Sequence, residues 1–186
     1  MGTKGFYAFI YKGKRYVIYN YYDSYPEALG NDLLNELRKR DLEEWKVLLD
    51  KCIIIDSEER YNEYFSNNDD KIKYDLIKYF EEEILKFNSN KNMEEIILQI
   101  DYSRILNCYG RSCSMEKVLS SGFLFTSSGD PTGCMSESYM PYDSEYGYII
   151  DFDKNQFIYK DLHEYYDYTF HLKRVPKSIV KHQFDD

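Results

Sequence analysis

Two pairs of short runs rich in aromatic and β-branched residues stand near the ends of this chain, and helical periodicity fills the stretch between them. Residues 6–11 and 16–19 flank a turn over 12–15, where Gly13 can supply a positive φ; residues 148–152 and 156–160 flank the polar turn 153–155. Each pair reads as a β-hairpin. β-structure at both ends with helices in the middle predicts an α+β fold, the terminal strands sharing one mainly antiparallel sheet packed against a central block of about four helices. Apolar residues fall on both faces of the first hairpin, which predicts a central place for it in that sheet.

The middle supplies the helices. Asp23 or Ser24 is the expected cap of a first helix, with Pro26 near its first position and Leu29, Leu33, Leu34 and Leu37 on its apolar stripe. Gly30 interrupts that stripe, which points to a close approach by another part of the backbone. Asp41 and Glu44 open a second helix carrying Leu42, Trp45, Leu48 and Leu49, and Ser57 opens another with Tyr61, Tyr64 and Phe65. Ile72, Leu76, Phe80 and Ile84 mark the next, and Asn92 with Glu95 a last one ending near residue 107. The run 52–56 fits a short strand or a helix end equally well. From residue 108 the chain becomes rich in Gly, Ser and Cys, with a short helix at 114–120, a strand at 123–125 and an irregular stretch over 126–145. Loops that long are usually functional or disordered, so this is a place to seek a site. The expected layout is one α+β domain over 1–186: hairpin 5–22, helical block 24–107, irregular region 108–145 and β region 146–176. A last strand is expected at 168–172.

Composition narrows the function. The 186 residues hold 21 Tyr, 11 Phe and one Trp, a content far from that of disordered chains. The net charge of −9 argues against nucleic acid and against an anionic membrane surface as partners. Ala is scarce while Lys, Ile, Asn and Tyr abound, a bias that AT-rich codons would produce, so part of the Tyr excess needs no functional cause. The longest aliphatic run, residues 53–55, is far shorter than a membrane span, no secretory signal is read, and a myristoylation pattern fails at Phe6. Cys52, Cys108, Cys113 and Cys134 then read as reduced thiols of an intracellular protein. No C-x-x-C spacing, phosphate-binding glycine loop or common hydrolase motif is present, so neither a metal nor a cofactor is expected.

The candidate residues lie in three places. Residues 19–26 gather Asn20, Asp23, Ser24 and Tyr25 where a strand gives way to a helix, a geometry suited to anions or to simple capping. Arg111 stands near Cys108 and Cys113, and Tyr142 closes the long irregular stretch. Asp151, with Asp153 two residues on, places two carboxylates on one side of a strand end, for an ion or for the hairpin turn.

The Gly2-Thr3-Lys4-Gly5 start, the block Tyr19-Asn20, Asp23-Ser24-Tyr25-Pro26 and Leu29-Gly30, and the later run from Glu145 to Asp153 with Phe170-His171-Leu172 resemble a family from large DNA viruses of amoebae and from fungi. That family has a Gly-Thr-(Lys/Arg)-Gly start and a Tyr-Asn…Asp-Ser-Tyr-Pro…Leu-Gly block, and no activity is attached to it. Tyr21 stands where such proteins often carry His, so no role of that His is transferred. The resemblance covers the two β regions and implies a viral protein of the host cytoplasm, the viral factory or the virion. The expected function is protein–protein contact and self-association, as a homodimer for instance, without catalysis. The competing expectation is a small hydrolase or transferase whose cleft joins residues 19–26, Arg111 and the 126–145 stretch.

Overall fold

The computed structural model describes residues 2–67, 70–80, 82, 105, 114–126 and 144–179. Strands β1 (Gly5–Tyr11) and β2 (Lys14–Asn20) form the first hairpin. Its turn is only Lys12 and Gly13, both at positive φ (53° and 71°), the twist that two-residue hairpin loops favour. Arg15, expected in the turn, is therefore a buried residue of β2.

A single π turn (Pro26–Gly30) then feeds α1 (Asn31–Lys39), which is followed by α2 (Leu42–Lys51), β3 (Ile53–Ile55), α3 (Glu58–Asn67) and α4 (Asp70–Tyr79). Next come α5 (Met115–Ser120), β4 (Phe123–Phe125), β5 (Tyr146–Asp151), β6 (Gln156–Asp161) and β7 (Tyr166–His171), with a 3-10 turn at Leu172–Arg174. Capping follows local chemistry. The Asp41 carboxylate accepts the Glu43 N–H at 2.9 Å, and Ser57 Oγ accepts the Arg60 N–H at 3.1 Å. The expected cap at Asp23 or Ser24 is not formed: Tyr25 is the cap residue, with no side-chain bond, and Asp23 sits at a φ of 51°. Helix beyond Phe80, the helix opening at Asn92 and most of 126–145 fall outside the described residues.

The sheet has the order β2-β1-β5-β6-β7. Its pairs are antiparallel except β1 with β5, which run parallel from Gly5 opposite Tyr146 to Ile10 opposite Asp151. The α+β class, and the sharing of one sheet by the terminal β regions, are as the sequence predicts. Only half of the first hairpin is central, however: β1 is interior and β2 an edge. Residues 53–55 resolve as strand, pairing parallel with β4.

One face of the sheet carries the main core. Across it run the rows Ile18, Tyr7, Tyr148, Tyr159, Tyr168 and Tyr16, Phe9, Ile150, Phe157, Phe170. Tyr148, Tyr159 and Tyr168 stack along the first row, with centroids 5.6 and 5.8 Å apart. Leu33, Leu34 and Leu37 of α1 and Trp45 and Leu49 of α2 belong to the same core. Phe6, Ala8, Val17 and Ile149 form a smaller buried cluster on the opposite face. Both faces of β1 are thus dry, as its unbroken apolar run requires.

Candidate functional site

The polar segment 19–26 builds a closed knot where β2 meets the π turn. Asn20 is buried, and its Nδ2 donates to the Tyr22 carbonyl (2.5 Å) and to Ser24 Oγ (2.7 Å). Ser24 is fully buried; its hydroxyl donates back to the Asn20 carbonyl (3.2 Å), and its N–H donates to the Thr3 carbonyl (3.2 Å). The Tyr148 hydroxyl donates to the Ser24 carbonyl at 2.7 Å. Each of these groups meets a partner within the chain, as buried polar groups must.

Glycines make the approach possible. A Cβ on Gly5 would lie 2.6 Å from Ser24 Cβ, and one on Gly30 would lie 2.9 Å from Tyr148 Cε1. The close neighbour that Gly30 signalled is therefore a tyrosine ring rather than a passing backbone. The blocks Gly-Thr-Lys-Gly, Tyr-Asn, Asp-Ser-Tyr-Pro and Leu-Gly thus converge with Tyr148, and what they build is packing. Asp23 is exposed, and its carbonyl accepts the Leu29 N–H at 3.3 Å. Tyr25 is exposed beside Tyr21 and Tyr22.

Asp151 stands elsewhere. It ends β5, five positions beyond Tyr146, so about 17 Å of strand separates it from the knot. It is buried, and its Oδ1 accepts the Lys154 N–H at 2.8 Å, closing the β5–β6 turn. Asp153 accepts the N–H groups of Lys12 (2.8 Å) and Gly13 (2.7 Å), joining the tips of the two hairpins. Both carboxylates are committed to backbone donors. Among the described residues no group of three or more His, Cys, Asp and Glu side chains is placed to hold a metal ion. Arg111 and Tyr142 lie outside the described residues, as do Cys108 and Cys113. Burial pushes the Cys52 thiol up to about 11, so it is a poor nucleophile at neutral pH.

Comparison with protein-family models, with curated proteins and with solved structures gave no match.

Two features went unread in the sequence. Glu145 Oε2 lies 2.9 Å from His163 Nε2, while Glu145 Oε1 accepts the Lys4 N–H at 3.1 Å. The His163 bond, with the Lys4 N–H second, holds the Glu145 carboxyl below the usual range. The other feature is the contrast between the two sheet edges. β2 is largely buried, whereas in β7 Tyr166, Asp167, Thr169 and His171 are all exposed. Tyr165, next to that edge, is 91% exposed and Tyr166 58%. Tyr148 is buried in the core. No helix among the described residues is long and apolar enough to cross a membrane.

Proposed function

We propose that the protein acts without catalysis, through protein contact, and that it self-associates by pairing the β7 strands of two copies. The open β7 edge carries this reading. The Leu172 N–H donates to the Asn155 carbonyl at 3.0 Å, which fixes the alternation of the β6–β7 ladder. Tyr166, Tyr168 and Phe170 then turn their backbone groups toward β6, and Asp167, Thr169 and His171 turn theirs outward. An edge that no other described strand pairs with is a template for another strand.

A two-fold axis at Thr169 sets Thr169 against itself and Asp167 against the second copy's His171. His171 Nδ1 accepts the Lys173 N–H, so its proton sits on Nε2, free to donate to that carboxylate. On the other face Tyr168 meets Phe170, continuing the aromatic row across the interface. For the setting we carry forward what the resemblance implies: a protein of a large DNA virus, made in the host cytoplasm or viral factory.

The competing cleft has less support, since Asn20 and Ser24 are consumed by the knot. Light scattering on a sizing column tests the reading. The wild type should run as a dimer and Thr169→Pro, which removes an outward N–H but no β6–β7 ladder bond, as a monomer with unchanged circular dichroism. His171→Asp, which sets acid against Asp167, should dissociate it too. A wild type that is monomeric at every concentration, or a dimer indifferent to both changes, overturns the proposal.

A further inference from the structure

A cleft of about 520 Å³ opens where the end of α1, the start of α2, the β5–β6 turn and the segment after β7 meet. That volume lies in the range of small-molecule sites. Its apolar lining comes from Leu37, Leu42, Phe152, Leu172 and Val175. Its charge runs against that of the molecule: Arg38, Arg40, Lys46 and Lys173 line it beside only two acids, Asp41 and Glu43, on a chain of net charge −9.

The pairing of these charges separates them. Arg40 is bound by Glu116 and Lys46 by Glu43, so those cations are neutralised locally. Asp41 is spent on capping α2. Arg38 is held differently. Its Nη1 donates to the Pro176 carbonyl at 2.8 Å and its Nη2 to Asn35 Oδ1, both neutral acceptors. Among the described residues its guanidinium is fixed in place with no carboxylate partner and with part of its donor fork unused. Lys173 follows the buried Leu172 on the facing wall.

We infer that this cleft binds an amphipathic anion, a carboxylate or phosphate ester with an apolar tail, its head between Arg38 and Lys173 and its tail against Leu42 and Val175. The two wall cations supply the charge recognition that an oriented Arg gives best. The apolar lining supplies the area that free phosphate cannot use. The cleft adjoins the C-terminal end of β7, and its test reads ligand binding rather than oligomeric state.

Isothermal titration of the full chain with decanoate, decanol and inorganic phosphate tests it. Decanoate should bind with Kd below about 1 mM, at least tenfold tighter than either decanol or phosphate. Arg38→Gln and Lys173→Gln should each weaken decanoate at least fivefold while leaving the weak decanol binding unchanged. Among the described residues the Lys173 side chain makes no hydrogen bond, so Lys173→Gln decides the matter if Arg38→Gln does not fold. No decanoate binding up to that concentration, equal binding of decanol or of phosphate, or a Lys173→Gln protein that binds like wild type would each overturn the inference.

Discussion

Tyr148 does two jobs with one side chain. Its ring fills the sheet's central aromatic row, and its hydroxyl holds the Ser24 carbonyl at 2.7 Å. Burial, with Tyr159 and Tyr146 nearby, pushes its hydroxyl well above the ordinary tyrosine value, which favours the protonated, donating form. Gly30 is the residue that lets the ring in. Gly30→Ala would gain about 1 kcal/mol of helix propensity, but its methyl would press into the ring at 2.9 Å and toward Ile179 at 3.1 Å. Overpacking of this kind costs ~1–3 kcal/mol. The expected outcome is a net loss of stability in urea unfolding, relieved in part when Tyr148→Phe is added. The sequence announced that Gly30 is special, because a glycine on an apolar helix stripe is costly without a reason. It could not announce Tyr148 as the reason, because that contact spans more than a hundred residues.

The elements show the same division between local and distant causes. α2 and α3 begin where Asp41 and Ser57 said they would, since a cap and its N–H lie two or three residues apart. The cap at Asp23 failed because Ser24 is drawn into the knot with Asn20 and Thr3, a competition that only the folded sheet creates. The hairpin tips are a further case. Asp153 was legible as a turn residue, but its hold on Lys12 and Gly13 of the other hairpin was not. Replacing it by Ala leaves two N–H groups of a positive-φ turn without their charged acceptor. These groups are exposed, and water will replace part of the loss, so a cost of about 1–2 kcal/mol is expected. Asp153→Asn, which keeps one acceptor oxygen, should lose less. Thermal melts of the two variants check this ordering. Accelerated amide exchange at Gly13 in both would place the effect in the turn.

At the scale of the molecule, the link between the N-terminal segment and the β5–β7 meander is partly ionic. Glu145 joins Lys4 to His163, and its carboxyl is held below its unfolded value. A lowered carboxyl contributes stability above its unfolded pKa and loses it as pH falls through the folded value. Stability of the wild type should therefore drop more steeply than that of Glu145→Gln as pH falls from about 5 to about 3, measured by urea midpoints. Equal slopes would mean that the bond contributes nothing. The sheet's order was beyond the sequence for a related reason: alternation reveals that strands exist and which faces are dry, but it does not rank their neighbours. That both β regions share a sheet followed from their apolar faces, each needing the other for burial. That β1 lies parallel to β5, and that no other described strand pairs with the outer side of β7, follows only from the pairing itself.

The parallel pairing of β1 with β5 also sets a schedule. Gly5 waits for Tyr146, so the central seam of the sheet cannot close until most of the chain has left the ribosome. At ordinary synthesis rates of about 5–20 residues per second, that interval is roughly 7–30 s. During it β1, an apolar strand with one unclaimed side, is exposed to every other nascent copy. Its sole early neighbour is β2, tied to it through a turn of only two residues. The tight first hairpin thus has a temporal role as well as a spatial one: it covers one edge of this apolar strand from the earliest moment possible and leaves the other edge for β5, made late in synthesis.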